Sequence, residues 1–136
     1  YSNREREIIS LKKGIHGLSN SLLNTPWPKV TRGIKALDDC LQHSMTINPE
    51  DLFAIMADRE QPADEDLPRT GVSLEFERIL APTFVVSEVY GTRTSTVILV
   101  DRDDRATFME RTFVNGEPHT FSEVSLAFNI AENRKS

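Results

Sequence analysis

Val97-Ile98-Leu99-Val100 is the run that most restricts the fold of this chain. Over residues 91–100, Thr92, Thr94, Thr96, Ile98 and Val100 alternate with Arg93, Ser95, Val97 and Leu99, the period of a strand. Towards the end of the run both faces turn apolar, as in a strand covered on two sides. Neither an all-helical bundle nor a lone sheet with one wet face satisfies that pattern. Asp101-Arg102-Asp103-Asp104-Arg105 has the length of a hairpin turn, and residues 106–114 read as the returning strand. Asn115-Gly116 predicts a second turn. Residues 121–130 follow as a final strand with Val124, Leu126 and Phe128 on one face, and residues 132–136 should fray.

The middle of the chain is helical. Trp27, Val30, Ile34, Leu37 and Leu41 recur at helical spacing, with Lys29, Arg32, Lys35, Asp38 and Gln42 on the other side. This predicts a helix within residues 26–44, entered through Pro26 and Pro28 with Thr25 as N-cap. Asn48-Pro49-Glu50-Asp51 opens a second helix over residues 49–57, with a cap, a proline and acids at the positive end of the helix dipole. Residues 58–71 form a loop with two prolines and five acids against two arginines. Its Asp64-Glu65-Asp66 run suits either a cation or simple solvation. Residues 71–80 read weakly as a short helix, and Lys12-Lys13-Gly14 as a turn into a short strand at residues 15–18. The expected class is α+β, two helices covering one face of a largely antiparallel sheet. Two helices scarcely cover a sheet that is apolar on both faces, so further strands are expected from outside these 136 residues.

Several function classes are disfavoured. A net charge of −5 argues against a nucleic-acid or anionic-membrane surface. No run approaches the roughly 20 apolar residues of a transmembrane helix. The single cysteine excludes an internal disulfide and fits a reducing compartment, so the cytoplasm is the expected location. His16, His43 and His119 lie far apart without metal-ligand spacing, and no cofactor is expected. Cys40 sits at the core-facing edge of the first helix and reads as a small structural residue. Asp101, Asp103 and Asp104 superficially resemble a calcium loop, but Arg105, Ala106 and Thr112 occupy the places that need a ligand, a glycine and a glutamate.

Candidate site residues concentrate in residues 17–30, where a small polar knot leads into Pro26-Trp27-Pro28. An ordinary connecting loop and a functional site both fit this run. Ser2-Asn3-Arg4 is open in the same way, between an anion-binding cluster and a solvated strand end.

Four blocks, taken together, resemble the NRDE-motif proteins, the Transport and Golgi organisation protein family. They are Tyr1-Ser2-Asn3-Arg4-Glu5; His16-Gly17-Leu18-Ser19-Asn20 with Asn24-Thr25-Pro26-Trp27-Pro28-Lys29-Val30; GVSLEFERILAPTFV at residues 71–85; and YGTRTSTVILVD at residues 90–101. The family's Asn-Arg-Asp-Glu tetrad and early cysteine are absent. The resemblance therefore implies that residues 1–136 are the C-terminal portion of a single domain, with the N-terminal half of the same protein as a partner. It further implies part of an αββα sandwich similar to N-terminal-nucleophile hydrolases. In that class an N-terminal cysteine, serine or threonine attacks an amide, with its own α-amine as base, and the resemblance implies a cysteine here. By this similarity Asn20, after Ser19, is the candidate oxyanion donor. Asn24 comes second, Trp27 lines the binding region, and Arg93 is either a pocket residue or a surface ion-pair residue. The nucleophile lies outside the chain. The competing class is a non-catalytic ligand-binding or trafficking protein of the same fold, handling haem, lipid or acyl-CoA.

Overall fold

The structure is a computed structural model and describes residues 8–114 and 116–130. The block at residues 1–5 with its Ser2-Asn3-Arg4 cluster, Asn115 of the second predicted turn and the tail from Glu132 lie outside the described residues. The chain divides into two compact units, Tyr1–Val85 and Val86–Ser136.

The first unit holds the helices. Helix α1 spans Pro28–His43 and starts later than the prolines alone suggest. Pro28 forces the residue before it out of the helical region, so Trp27 is extended (φ −68°, ψ 147°) and serves as N-cap without a side-chain bond. Thr25 is therefore not the cap. Its hydroxyl donates to the Leu22 carbonyl at 2.8 Å. Helix α2, Pro49–Met56, has the expected start, with the Asn48 side chain accepting from the Glu50 N–H and Pro49 in the first turn. Helix α3, Leu74–Leu80, is capped by Ser73, whose side chain accepts from the Phe76 N–H.

Long-range polar contacts fasten these helices. Arg32 of α1 donates from Nε to Asp58 Oδ2 at 2.9 Å and from Nη2 to the Glu60 carbonyl at 2.8 Å. The Asp58 carbonyl in turn accepts from the N–H of Phe84, which is fully buried. Lys29 Nζ donates to the Leu80 carbonyl at 2.9 Å, placing a cation on the last residue of α3, where the helix dipole favours it. Burial holds the Lys29 amine below its ordinary pKa of 10.5. The unfolded chain thus binds more protons just below 10.5, and this group's contribution to stability rises with pH there. Glu77 is buried, and its Oε1 accepts from both the N–H and the hydroxyl of Thr70 at 2.6 Å. The acidic run 64–66 forms one 3₁₀ turn. Hydrogen bonding to Arg78 holds the Asp64 carboxyl below its ordinary range.

The second unit is a three-stranded antiparallel sheet in the order β1 (Thr94–Val100), β2 (Arg105–Phe113), β3 (Phe121–Asn129). The first hairpin turn is built by Asp101, whose Oδ1 accepts from the N–H groups of Asp103 and Arg105 at 2.9 Å each, with Asp104 in the left-handed region at φ 56°. Strand β1 begins at Thr94, later than expected, because Gly91 pairs with Val86 as an isolated bridge. Register puts Ile98 opposite Phe108, itself opposite Leu126, and puts Val100 beside Ala106 and Phe128. On that face Ile98, Val100, Val124, Leu126 and Phe128 are each more than half exposed, whereas Ser95 and Val97 on the other face of β1 are buried. α+β is therefore the observed class.

No strand forms at residues 15–18, because the backbone of Gly17 bonds to Asn24 instead of to a neighbouring strand. A Cβ built on Gly17 would lie 2.7 Å from Val30 Cγ1 and 3.1 Å from Ile34 Cδ1, both on α1. Val30 is buried and β-branched, so it has little room to yield. Gly33, in the middle of α1, has nothing within 4 Å of such a Cβ. Opposite outcomes are expected in chemical denaturation of the full-length protein. Gly17→Ala lowers stability by about 1–3 kcal/mol through overpacking, and Gly33→Ala raises it by about 0.5–1 kcal/mol through helix propensity. Equal effects at the two glycines would contradict the close approach at Gly17.

Candidate functional site

The candidate residues around Asn20 sit on a loop closed at its base by two hydrogen bonds between the same pair of residues. The Asn24 N–H donates to the Gly17 carbonyl at 2.7 Å, and the Gly17 N–H donates to Asn24 Oδ1 at 2.9 Å. Asn24 takes a left-handed backbone, φ 58°, which asparagine tolerates better than most residues. Because Oδ1 is an acceptor here, Nδ2 is the donor towards His16 Nδ1 at 3.0 Å. With Nδ1 accepting, Nε2 is the donor, which matches its 2.8 Å bond to the Lys12 carbonyl. The motif His16-Gly17 followed by Asn24 is thus a three-residue brace.

Within the loop the two halves differ. The C-terminal half is fixed by Thr25, whose N–H and hydroxyl both reach the Leu22 carbonyl, at 3.2 and 2.8 Å, while the hydroxyl also meets Ser21 Oγ at 3.3 Å. The N-terminal half carries half-buried Ser19 and exposed Asn20, whose side-chain amide makes no hydrogen bond among the described residues. Trp27 is half-buried, donates its N–H to the Thr25 carbonyl at 2.7 Å and accepts from the Thr31 N–H at 3.0 Å. Ser19, Asn20, Asn24 and Trp27 therefore share one pinned segment, with the Asn24 amide committed and the Asn20 amide free. Arg93 belongs to the other unit.

In that unit Ser87, Glu88, Tyr90, Arg93, Thr112 and Phe113 help to line an open depression of about 570 Å³. Its wall is a tight turn: Ser87 Oγ donates to the Tyr90 carbonyl at 2.7 Å and accepts the Tyr90 N–H at 3.0 Å. Arg93, a candidate from the sequence, lines this depression, and Ser87 and Tyr90 were not among the candidates. The turn depends on a serine three residues before a tyrosine, a spacing too common to mark a site.

Nucleophilic chemistry is not assembled among the described residues. Cys40 is a half-buried free thiol on α1 with no base bonded to it, and no group of three potential metal ligands is found among the described residues. No described helix is long and apolar enough to cross a membrane. The Asn20 side-chain amide and the Arg93 guanidinium are candidate donors without a hydrogen-bond partner among the described residues.

The brace predicts a ranking at Asn24. Asn24→Gly keeps the left-handed backbone and loses the side-chain bonds, costing about 1–2 kcal/mol. Asn24→Ala loses both and costs roughly 1 kcal/mol more. Urea denaturation of the full-length variants checks this, and an alanine variant at least as stable as the glycine variant contradicts it.

Residues 1–115 match the family Transport and Golgi organisation 2. The chain is 32% identical over 138 aligned positions to the Transport and Golgi organization protein 2 homolog of Bos taurus, covering 96% of this chain and 50% of that protein. The Mus musculus Transport and Golgi organization 2 homolog is 30% identical over 138 positions, again 96% of this chain and 50% of the relative. The Homo sapiens homolog is 33% identical over 123 positions, 85% of this chain and 45% of the relative. The chain thus spans about half the length of the curated relatives it matches. The resemblance read from the four sequence blocks holds along nearly the whole chain: it belongs to the Transport and Golgi organisation 2 family.

Proposed function

We propose that this chain forms the binding and polarising side of an amide-hydrolysing site of the N-terminal-nucleophile type, with Asn20 as oxyanion donor. The attacking group is an N-terminal cysteine outside these residues. Its sulfur adds to the amide carbon, the α-amine takes the thiol proton and returns it to the leaving nitrogen, and water then releases the acyl group. The negative charge that gathers on the carbonyl oxygen needs a fixed donor, and a side-chain amide serves. The observation that carries this reading is the exposed amide of Asn20, without a hydrogen bond among the described residues, on a loop whose base is pinned by Gly17 and Asn24. Ser19 and Trp27 flank it on the same segment.

The apolar sheet face supports the accompanying architecture. Ile98, Val124, Leu126 and Phe128 are each more than half exposed on one face of the sheet, and contiguous exposed apolar side chains mark an interaction surface. We infer that a second sheet from the rest of the protein packs there, as in an αββα sandwich, which makes these residues the C-terminal portion of one domain.

Two measurements on the full-length protein test these readings. Asn20→Ala should lower amide turnover by about 100- to 1,000-fold with the melting temperature unchanged. Unchanged turnover with a lowered melting temperature would reduce Asn20 to a turn residue. Absence of any hydrolysis in the wild type, with saturable haem or acyl-CoA binding, would favour the non-catalytic ligand-handling alternative. Leu126→Ala should cost about 2–5 kcal/mol if a second sheet covers it. A change within about 0.5 kcal/mol, the usual surface effect, would contradict the sandwich.

A further inference from the structure

We propose that the depression between the turn at residues 87–90 and the end of strand β2 binds a small organic carboxylate, with Arg93 as its anchor. The inference is independent of the Asn20 reading, since every lining residue belongs to the unit Val86–Ser136.

The contrast between Arg111 of β2 and the exposed Arg93, just before β1 and at the rim of the depression, carries the argument. Arg111 is fully engaged: its Nε donates to Glu123 Oε2 at 2.7 Å, and its guanidinium lies 4.4 Å from the centre of the Phe121 ring. Arg93 makes no ion pair and no side-chain hydrogen bond among the described residues, although Glu88 lines the same depression. Its place is nevertheless fixed, because its carbonyl accepts from the Phe113 N–H at 2.9 Å. Phe113 is itself held edge-on against Phe121, with ring centres 6.0 Å apart. An unpaired guanidinium on a fixed backbone, beside an aromatic residue and hydroxyl groups, suits a ligand with one anionic end and an apolar body.

Charge and volume narrow the class. Arg93 and Glu88 together leave the lining without net charge, too little to hold a doubly charged phosphate against its hydration. A carboxylate carries one charge and matches the two parallel N–H donors of a guanidinium. The volume of about 570 Å³ falls in the range of small-molecule sites. The tyrosine ring at position 90 and Phe113 supply apolar surface for the rest of the ligand.

Benzoate titrated into the full-length protein and followed by amide chemical shifts is the direct test. Saturable shifts are expected at residues 87–93 and 113. Benzamide, of the same shape without the charge, and inorganic phosphate should each bind at least about tenfold more weakly. Arg93→Met should weaken benzoate by about 10- to 100-fold without lowering the melting temperature, and Arg93→Lys by a smaller factor. Tyr90→Ala, which leaves every charge in place, should weaken it as well. Asn20→Ala should bind benzoate like the wild type. The proposal is overturned if benzoate shifts no amide in this unit, if Arg93→Met binds it normally, or if benzamide or phosphate binds as tightly. Loss of binding in Asn20→Ala would overturn its independence from the other unit.

Discussion

Two hydrogen bonds between Gly17 and Asn24 set the geometry on which the helical unit depends. Each is worth only about 1 kcal/mol net, but together they close a loop in both directions and settle several other choices. Gly17 can lie against α1 because it has no Cβ to strike Val30 and Ile34. Asn24 can close the loop because it accepts a left-handed backbone while its side chain reaches the Gly17 N–H. With that bond made, the remaining amide protons face His16 and fix its tautomer. Asn24 is therefore committed through its backbone and its side chain, whereas the Asn20 amide makes no hydrogen bond among the described residues.

A different constraint governs the sheet. Its hairpins are well specified, by Asp101 at the first turn and by an uninterrupted register along β2. The sheet still leaves a band of apolar side chains uncovered, while the other face of β1 buries Ser95 and Val97. Burial of Leu, Ile, Val and Phe side chains supplies about 1.5–3 kcal/mol each. Leaving several exposed forgoes much of the stabilisation a small domain relies on. Membership in a family whose curated relatives are about twice this length gives a physical reason to look for a covering layer there.

Much of the fold was legible in the sequence because period and caps are local signals. Alternation over residues 91–100 located β1, though the strand starts only at Thr94, and Asn48-Pro49 located α2 to within a residue of its observed ends. The misses share one cause, a backbone partner that periodicity does not encode. Residues 15–18 looked like a strand, but Gly17 takes its partners from an asparagine seven positions on. Thr25 looked like a cap, but Pro28 moved the helix start and left its hydroxyl to Leu22. Within the candidate segment, Ser19 to Trp27, the sequence did not reveal that Asn24 is hydrogen-bonded through its side chain and Asn20 is not, among the described residues. That difference follows from a side-chain bond and a positive φ, neither of which spacing reveals.

Native-state hydrogen exchange at the amides of Gly17 and Asn24 tests the brace most directly. If the paired bonds organise the loop and its contact with α1, both amides should exchange as slowly as those in the middle of α1, through the same opening event. The amides of Ser19 and Asn20, which have no such bonds among the described residues, should exchange fast. Rapid exchange at Gly17 and Asn24, at rates typical of an open loop, would contradict the account.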